Sequence, residues 1–369
     1  MSIVRKQSWF VACCVALGVA ACGGDKGTGP SKGTFSNPAN TKAQLEAVAA
    51  PFATPAFESF AGLSLYFVPP AASPAVATLI QATLPRGPTA DAQPYTKSVL
   101  RARALAKALL ANPIVASIFP STALGKTYVW DPSSGGYVAS SRTGAPSNGI
   151  RFIIYTLSNG LPAVPLNAIG YVDFTDRSTA SSTILGVTLV ATTGTSAVTY
   201  ADYTVSMSFS TTSFSAALAG YVSDATRRVD FSLAFGGTGT TYSFDFTADM
   251  ASSGVHVAFS DTYTEDSPTA PTTATSDGTF SIAIGQETLV WKDHYTVLLQ
   301  SPYTTTGTGE LRLNGELIAS WQSDQSGATT TYAKQLTSAE QDAITQVFLA
   351  ATDLFVAVNE LFYPAFFYL

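Results

Sequence analysis

The chain has 369 residues, with 19 Lys+Arg against 25 Asp+Glu, and it is 46% apolar and only 12% charged. High apolar content with little charge is the reverse of a disordered composition, and a chain this long can bury a sizeable core. The net charge of −6 argues against a nucleic-acid partner, and two histidines with three cysteines leave little for a His/Cys metal site.

Arg5 and Lys6 form a cationic start, and an apolar run from Trp9 to Ala21 comes next. At about 13 residues the run is too short to cross a ~30 Å hydrocarbon core as a helix, but it has the length expected within an export signal. It ends in Val19-Ala20-Ala21-Cys22, after which the composition turns to Gly23-Gly24-Asp25-Lys26-Gly27. This stretch resembles the lipobox of bacterial lipoproteins, over residues 1–22 alone. The resemblance implies cleavage before Cys22, so that 1–21 is a signal peptide, and acylation of the Cys22 thiol and of the new amino terminus. Two or three acyl chains anchor a protein stably where one would not. Gly23 stands where Asp would favour retention at the inner membrane, which implies the outer membrane. Cys13 and Cys14 would leave with the signal, so the domain is expected to have neither a disulfide nor a catalytic thiol.

Residues 22–40 are rich in Gly, Ser, Pro and Lys, the composition of a flexible tether. The remainder, 41–369, reads as a single α+β domain with a helical part over 41–126, a β meander over 127–322 and a C-terminal helix over 337–362. Thr41 to Ala50 suggests a short helix, and prolines from Pro51 to Pro74 interrupt the next stretch of chain. Tyr95 to Ala111 is amphipathic: Lys97, Arg101, Arg103 and Lys107 share one arc, a solvated face or one turned to lipid headgroups or a partner.

From Thr127 the sequence is rich in Thr, Ser, Val, Tyr and Phe in period-two alternation. Tyr203, Val205, Met207 and Phe209 fall on one face, as do Val229, Phe231, Leu233 and Phe235, then Tyr242, Phe244 and Phe246. Phe280, Ile282 and Ile284 continue the pattern, and Leu311 and Leu313 extend it. Turn signals recur at Asn148-Gly149, Asn159-Gly160, Gly236-Gly237, Ser253-Gly254, Asp277-Gly278 and Asn314-Gly315. Close turns between alternating strands predict an antiparallel meander of about a dozen strands. That number predicts strong curvature, as a half-barrel or a closed barrel, with the N-terminal helices and the long C-terminal helix packed on it. Thr337-Ser338-Ala339-Glu340 is a capping box that opens the last helix, and Ala365 to Leu369 adds an aromatic tail for packing or for lipid.

The search for chemistry finds little. Gly125-Lys126-Thr127 lacks the first glycine and the helix of a phosphate loop, and no G-x-S-x-G or H-E-x-x-H occurs. His256, and His294 beside Asp293, are expected on polar strand faces. Asp261, Glu265 and Asp266 precede a Pro/Thr-rich loop, where they are either calcium ligands or solubilising acids. Asp202, Asp230, Asp245 and Asp249 fall on polar faces, where charge discourages pairing with other chains. No enzyme, no cofactor and no metal are expected. The expected function is that of an envelope lipoprotein, tethered to the membrane by Cys22, that carries a hydrophobic ligand or lipid in the concavity of its sheet. The alternative is a structural or interaction lipoprotein that presents its β surface to a partner.

Overall fold

The computed structural model describes residues 33–66, 118–193, 196–210, 212–300, 304–324 and 326–361. Within them, fifteen strands form one sheet and three α-helices pack on one of its faces. The fold is therefore β-rich.

Helix α1 spans Pro38–Ala49 and starts on Asn37, whose side chain accepts from the Asn40 amide at 3.1 Å, with Pro38 in the first turn where its missing N–H costs nothing. A 3-10 turn, Ala50–Ala53, leads to α2, Pro55–Tyr66, which buries Phe57, Phe60 and Leu63. The strands are β1 Thr127–Asp131, β2 Gly136–Ser140, β3 Gly149–Tyr155, β4 Leu157–Ser158, β5 Leu161–Pro162, β6 Ala168–Asp176, β7 Thr183–Thr193, β8 Ser196–Phe209 and β9 Ser213–Ser223. They continue as β10 Arg228–Thr238, β11 Thr241–Met250, β12 Val255–Glu265, β13 Thr273–Ile284, β14 Glu287–Leu298, β15 Thr304–Leu313, β16 Glu316–Asp324 and β17 Gly327–Tyr332. Helix α3, Ser338–Glu360, closes the described chain.

From β6 to β17 each strand pairs antiparallel with its sequence neighbour, a consequence of the short connections. The sheet then passes from β6 to β3, β1 and β2, where β1 and β3 run parallel, an exception to the expected meander. Neither β17 nor β2 pairs with the other, so the sheet is open and barrel closure does not occur. β4 and β5 form a separate hairpin. Its turn is Asn159-Gly160, and both residues adopt positive φ, as they do in Asn314-Gly315 between β15 and β16.

Two expected turns are interior to strands. Gly236-Gly237 lies within β10 and Asp277-Gly278 within β13. At Gly237 a Cβ would overlap the rings of Phe214 and Tyr242, and at Gly278 it would overlap the Asp293 carboxylate. These glycines let side chains of adjacent strands lie flat across the backbone. The meander also runs past the expected limit of 322, since β17 adds a further strand.

The buried face is continuous. Val172 and Phe174, Leu185 to Leu189, Tyr203 to Met207, Leu218, Val229 to Leu233, Phe246, Val257, Ile282, Leu289 and Leu313 join one core with residues of all three helices. The Phe60 ring of α2 stacks on Phe174 at 6.5 Å. Phe348 of α3 sits 5.6 Å from Phe280 and 5.5 Å from Trp291, and the Tyr203 hydroxyl donates to the Leu361 carbonyl at 2.8 Å. The capping box forms reciprocally, with the Thr337 amide donating to Glu340 at 2.8 Å and the Glu340 amide donating to Thr337 Oγ1 at 3.3 Å. Glu287, at the start of β14, accepts from Ser36 and from Thr41 Oγ1, tying the start of α1 to the sheet.

Candidate functional site

Beyond Phe348 the core face of β12 to β16 changes character. β12 continues the phase of Val255, Val257 and Phe259 with Asp261, Tyr263 and Glu265. Across β13 and β14, Asp261 faces Gly278 and then Asp293, and Tyr263 faces Ser276 and then Tyr295. On β15 these rows meet Gly309 and Gly307, and on β16 Trp321 and Ser323. An acid row and a tyrosine row thus form a polar band between the main core and a small apolar cluster of Ala274, Val297 and Leu299.

Glycines make this band possible. A Cβ at Gly307 would overlap the Tyr295 ring, and one at Gly309 would overlap Trp321. With that space, Trp321 stacks on Trp291 at 3.9 Å between ring centres. The Trp291 indole N–H donates to Asp293 Oδ2 at 3.2 Å, and Ser276 Oγ donates to Asp261 Oδ1 at 2.7 Å.

Burial governs the titration of these groups. It pushes the Asp261 carboxyl up to about 7, with the Asp293 and Asp277 carboxylates adding to the rise and the Ser276 hydroxyl opposing it. Asp293 is raised by burial too, against the hydrogen bond from Trp291. Tyr295 is pushed up to about 12 by burial and by the neighbouring Asp293. The band can therefore hold a proton near neutral pH between two facing carboxyls and offer hydroxyl donors beside aromatic walls.

The acids singled out by sequence have separate roles. Asp261 and Glu265 belong to the band's face, whereas Asp266 takes hydrogen bonds from the amides of Thr272 and Thr273 and so fixes the loop between β12 and β13. Those bonds, the Thr272 hydroxyl foremost, hold the Asp266 carboxyl down at about 2. Among the described residues no group of three or more His, Cys, Asp or Glu is placed to hold a metal ion.

Both histidines lie on the opposite, solvent face, each beside a cross-strand carboxylate. His256 Nδ1 is 2.6 Å from Asp249, and His294 Nδ1 is 2.7 Å from Asp277. Asp230 on that face pairs with Arg228, while Asp245 is exposed. His294, Thr308, Gln322, Asp324 and Thr329 border an open groove of about 590 Å³ near the β17 edge. Cys22, the cationic arc of Lys97, Arg101, Arg103 and Lys107, and the aromatic tail lie outside the described residues.

Sequence reasoning did not find the band as a unit, although a signal existed. Asp261 and Asp293 occupy positions that continue the apolar phase of Phe259 and Trp291, where a carboxyl is costly. Comparison with known proteins yields no matching family model, no matching curated protein and no matching solved structure.

Proposed function

We propose that the chain is a bacterial envelope lipoprotein, held at the outer membrane through lipidated Cys22, that works without catalysis by presenting its sheet to a partner. The observation that carries this reading is the seating of α3. A ligand carrier would keep the concave face of its sheet for cargo, but here Phe348 packs on Phe280 and Trp291 and Tyr203 bonds to Leu361. The chain's own helix takes the place a carried lipid would need.

The sheet is a half-barrel in this reading. Laid flat, fifteen strands would span roughly 70 Å at ~4.8 Å per strand, whereas a helix covers only ~10–12 Å. Strands from β3 to β16 nonetheless share one core with the helices, which supports strong curvature around them. The outward face then becomes the working surface, and its residues are hydroxyl-rich. Thr241, Thr264, Thr275, Thr296 and Thr306 are direct cross-strand neighbours along it.

The test uses Cys22→Ser in the full chain. Movement from the membrane to the soluble fraction, with loss of the acyl mass, supports anchoring, and a variant that stays membrane-bound overturns it. Native mass spectrometry of the soluble variant, with organic extraction afterwards, should give the bare chain. A discrete adduct that extracts as lipid would overturn the interaction reading in favour of lipid carriage.

A further inference from the structure

β17 forms one edge of the sheet, and all six of its residues are exposed. Pairing with β16 uses one side of its backbone, so the other side directs alternate amides and carbonyls outward in the plane of the sheet. Such edges are usually protected by a Lys, a Pro or a bulge. β17 reads Gly327-Ala328-Thr329-Thr330-Thr331-Tyr332, with no charge and no proline, and its register with β16 is unbroken.

We propose that β17 is an assembly edge that pairs antiparallel with β17 of a second copy of this chain, about a two-fold axis through Thr330. An axis normal to the sheet preserves its faces, so only residues of equal parity oppose each other. Thr330 then faces Thr330, Thr329 faces Thr331, and Ala328 faces Tyr332, with no like charges opposed. Tyr332, which is 49% exposed, gains the second copy's Ala328 as a cover. The same operation lays the chain leading to Lys334 beside the hairpin carrying Asp324 of the second copy, so opposite charges meet at both ends.

A contact this short buries less than the ~1,000 Å² of a stable interface, so the pairing is weak in dilute solution. Confinement to a membrane raises the effective concentration. In that respect alone the inference rests on the anchored reading, and its test does not.

The test uses the full chain with Cys13, Cys14 and Cys22 replaced by serine. Facing Cα atoms in an antiparallel pair lie close enough for a disulfide. Under mild oxidation Thr330→Cys should give a covalent dimer about tenfold faster than Thr308→Cys, a mid-sheet control, because pairing concentrates the thiols. Thr329→Cys and Thr331→Cys should cross-link rapidly when mixed and slowly when alone, which reads the register independently. The proposal is overturned if Thr330→Cys links no faster than Thr308→Cys, or if Thr329→Cys alone matches it. It is equally overturned if Thr330→Cys links instead to Val138→Cys on the opposite edge strand, β2. None of these outcomes bears on anchoring, which is read by fractionation of Cys22→Ser.

Discussion

Replacing Asp261 by Asn should make the protein more stable at mildly alkaline pH and leave it unchanged in acid. In the folded chain this carboxyl is pushed up to about 7 from an ordinary 3.8, chiefly by burial. A carboxyl that binds its proton more tightly when folded imposes no penalty below the unfolded value, and stability falls as pH rises from there through the folded value. At ~1.36 kcal/mol per pH unit, the rise corresponds to about 4 kcal/mol lost between pH 4 and pH 8. Asn keeps the side-chain shape and an oxygen for the Ser276 hydroxyl, but it carries no charge to desolvate. Urea unfolding of both proteins from pH 4 to pH 9 should therefore give curves that meet near pH 4 and diverge by up to about 4 kcal/mol at pH 8. Asp293, also raised by burial, should retain some slope in the variant. Parallel curves, or a variant less stable than the parent at pH 8, would refute the account of the band.

Three further outcomes are expected. Gly309→Ala should displace Trp321 from its stack on Trp291, at about 1–3 kcal/mol, with a change in near-ultraviolet circular dichroism that a distant Gly285→Ala does not reproduce. Tyr203→Phe should cost about 1–3 kcal/mol by stranding the Leu361 carbonyl, and hydrogen exchange should quicken at the end of α3 more than in β8. Glu340→Ala should remove half of the capping box and lower thermal stability by about 1 kcal/mol, without the pH dependence expected of Asp261→Asn.

Much of the strand pattern was legible because one face of each strand is buried and the turns are short. Tyr203 to Met207, Val229 to Leu233 and Phe244 to Phe246 alternate cleanly, and that alternation is enough to fix their common face. Glycine was harder to interpret. A dipeptide such as Asp277-Gly278 signals a turn locally, but what decides its place is the side chain on the adjacent strand, which the local sequence does not contain. β17 escaped notice because a strand exposed throughout has no apolar period to display. The parallel pairing of β1 with β3 depends on the long-range placement of the β1–β2 hairpin, for which Thr127 to Ser140 holds no local cue. The polar band fell between two expectations, with Asp261 weighed as a loop acid and Asp293 only as a neighbour of His294.

The chain also joins its two ends. Asn314 donates to the Thr34 carbonyl and Lys334 to that of Gly33, across 280 and 301 positions, and α1 packs along α3. For a chain that emerges from its N-terminus first, these contacts dictate an order of assembly. Hairpins from β6 onward can zip as they appear, since each strand finds its partner in the next, while α1 waits through the whole sheet for a helix made last. Until Ser338–Glu360 arrives, the greasy side of every finished strand stays bare. A nascent chain of this design needs a holding factor for most of its synthesis, and its final turns of helix act as the bolt that ends that dependence.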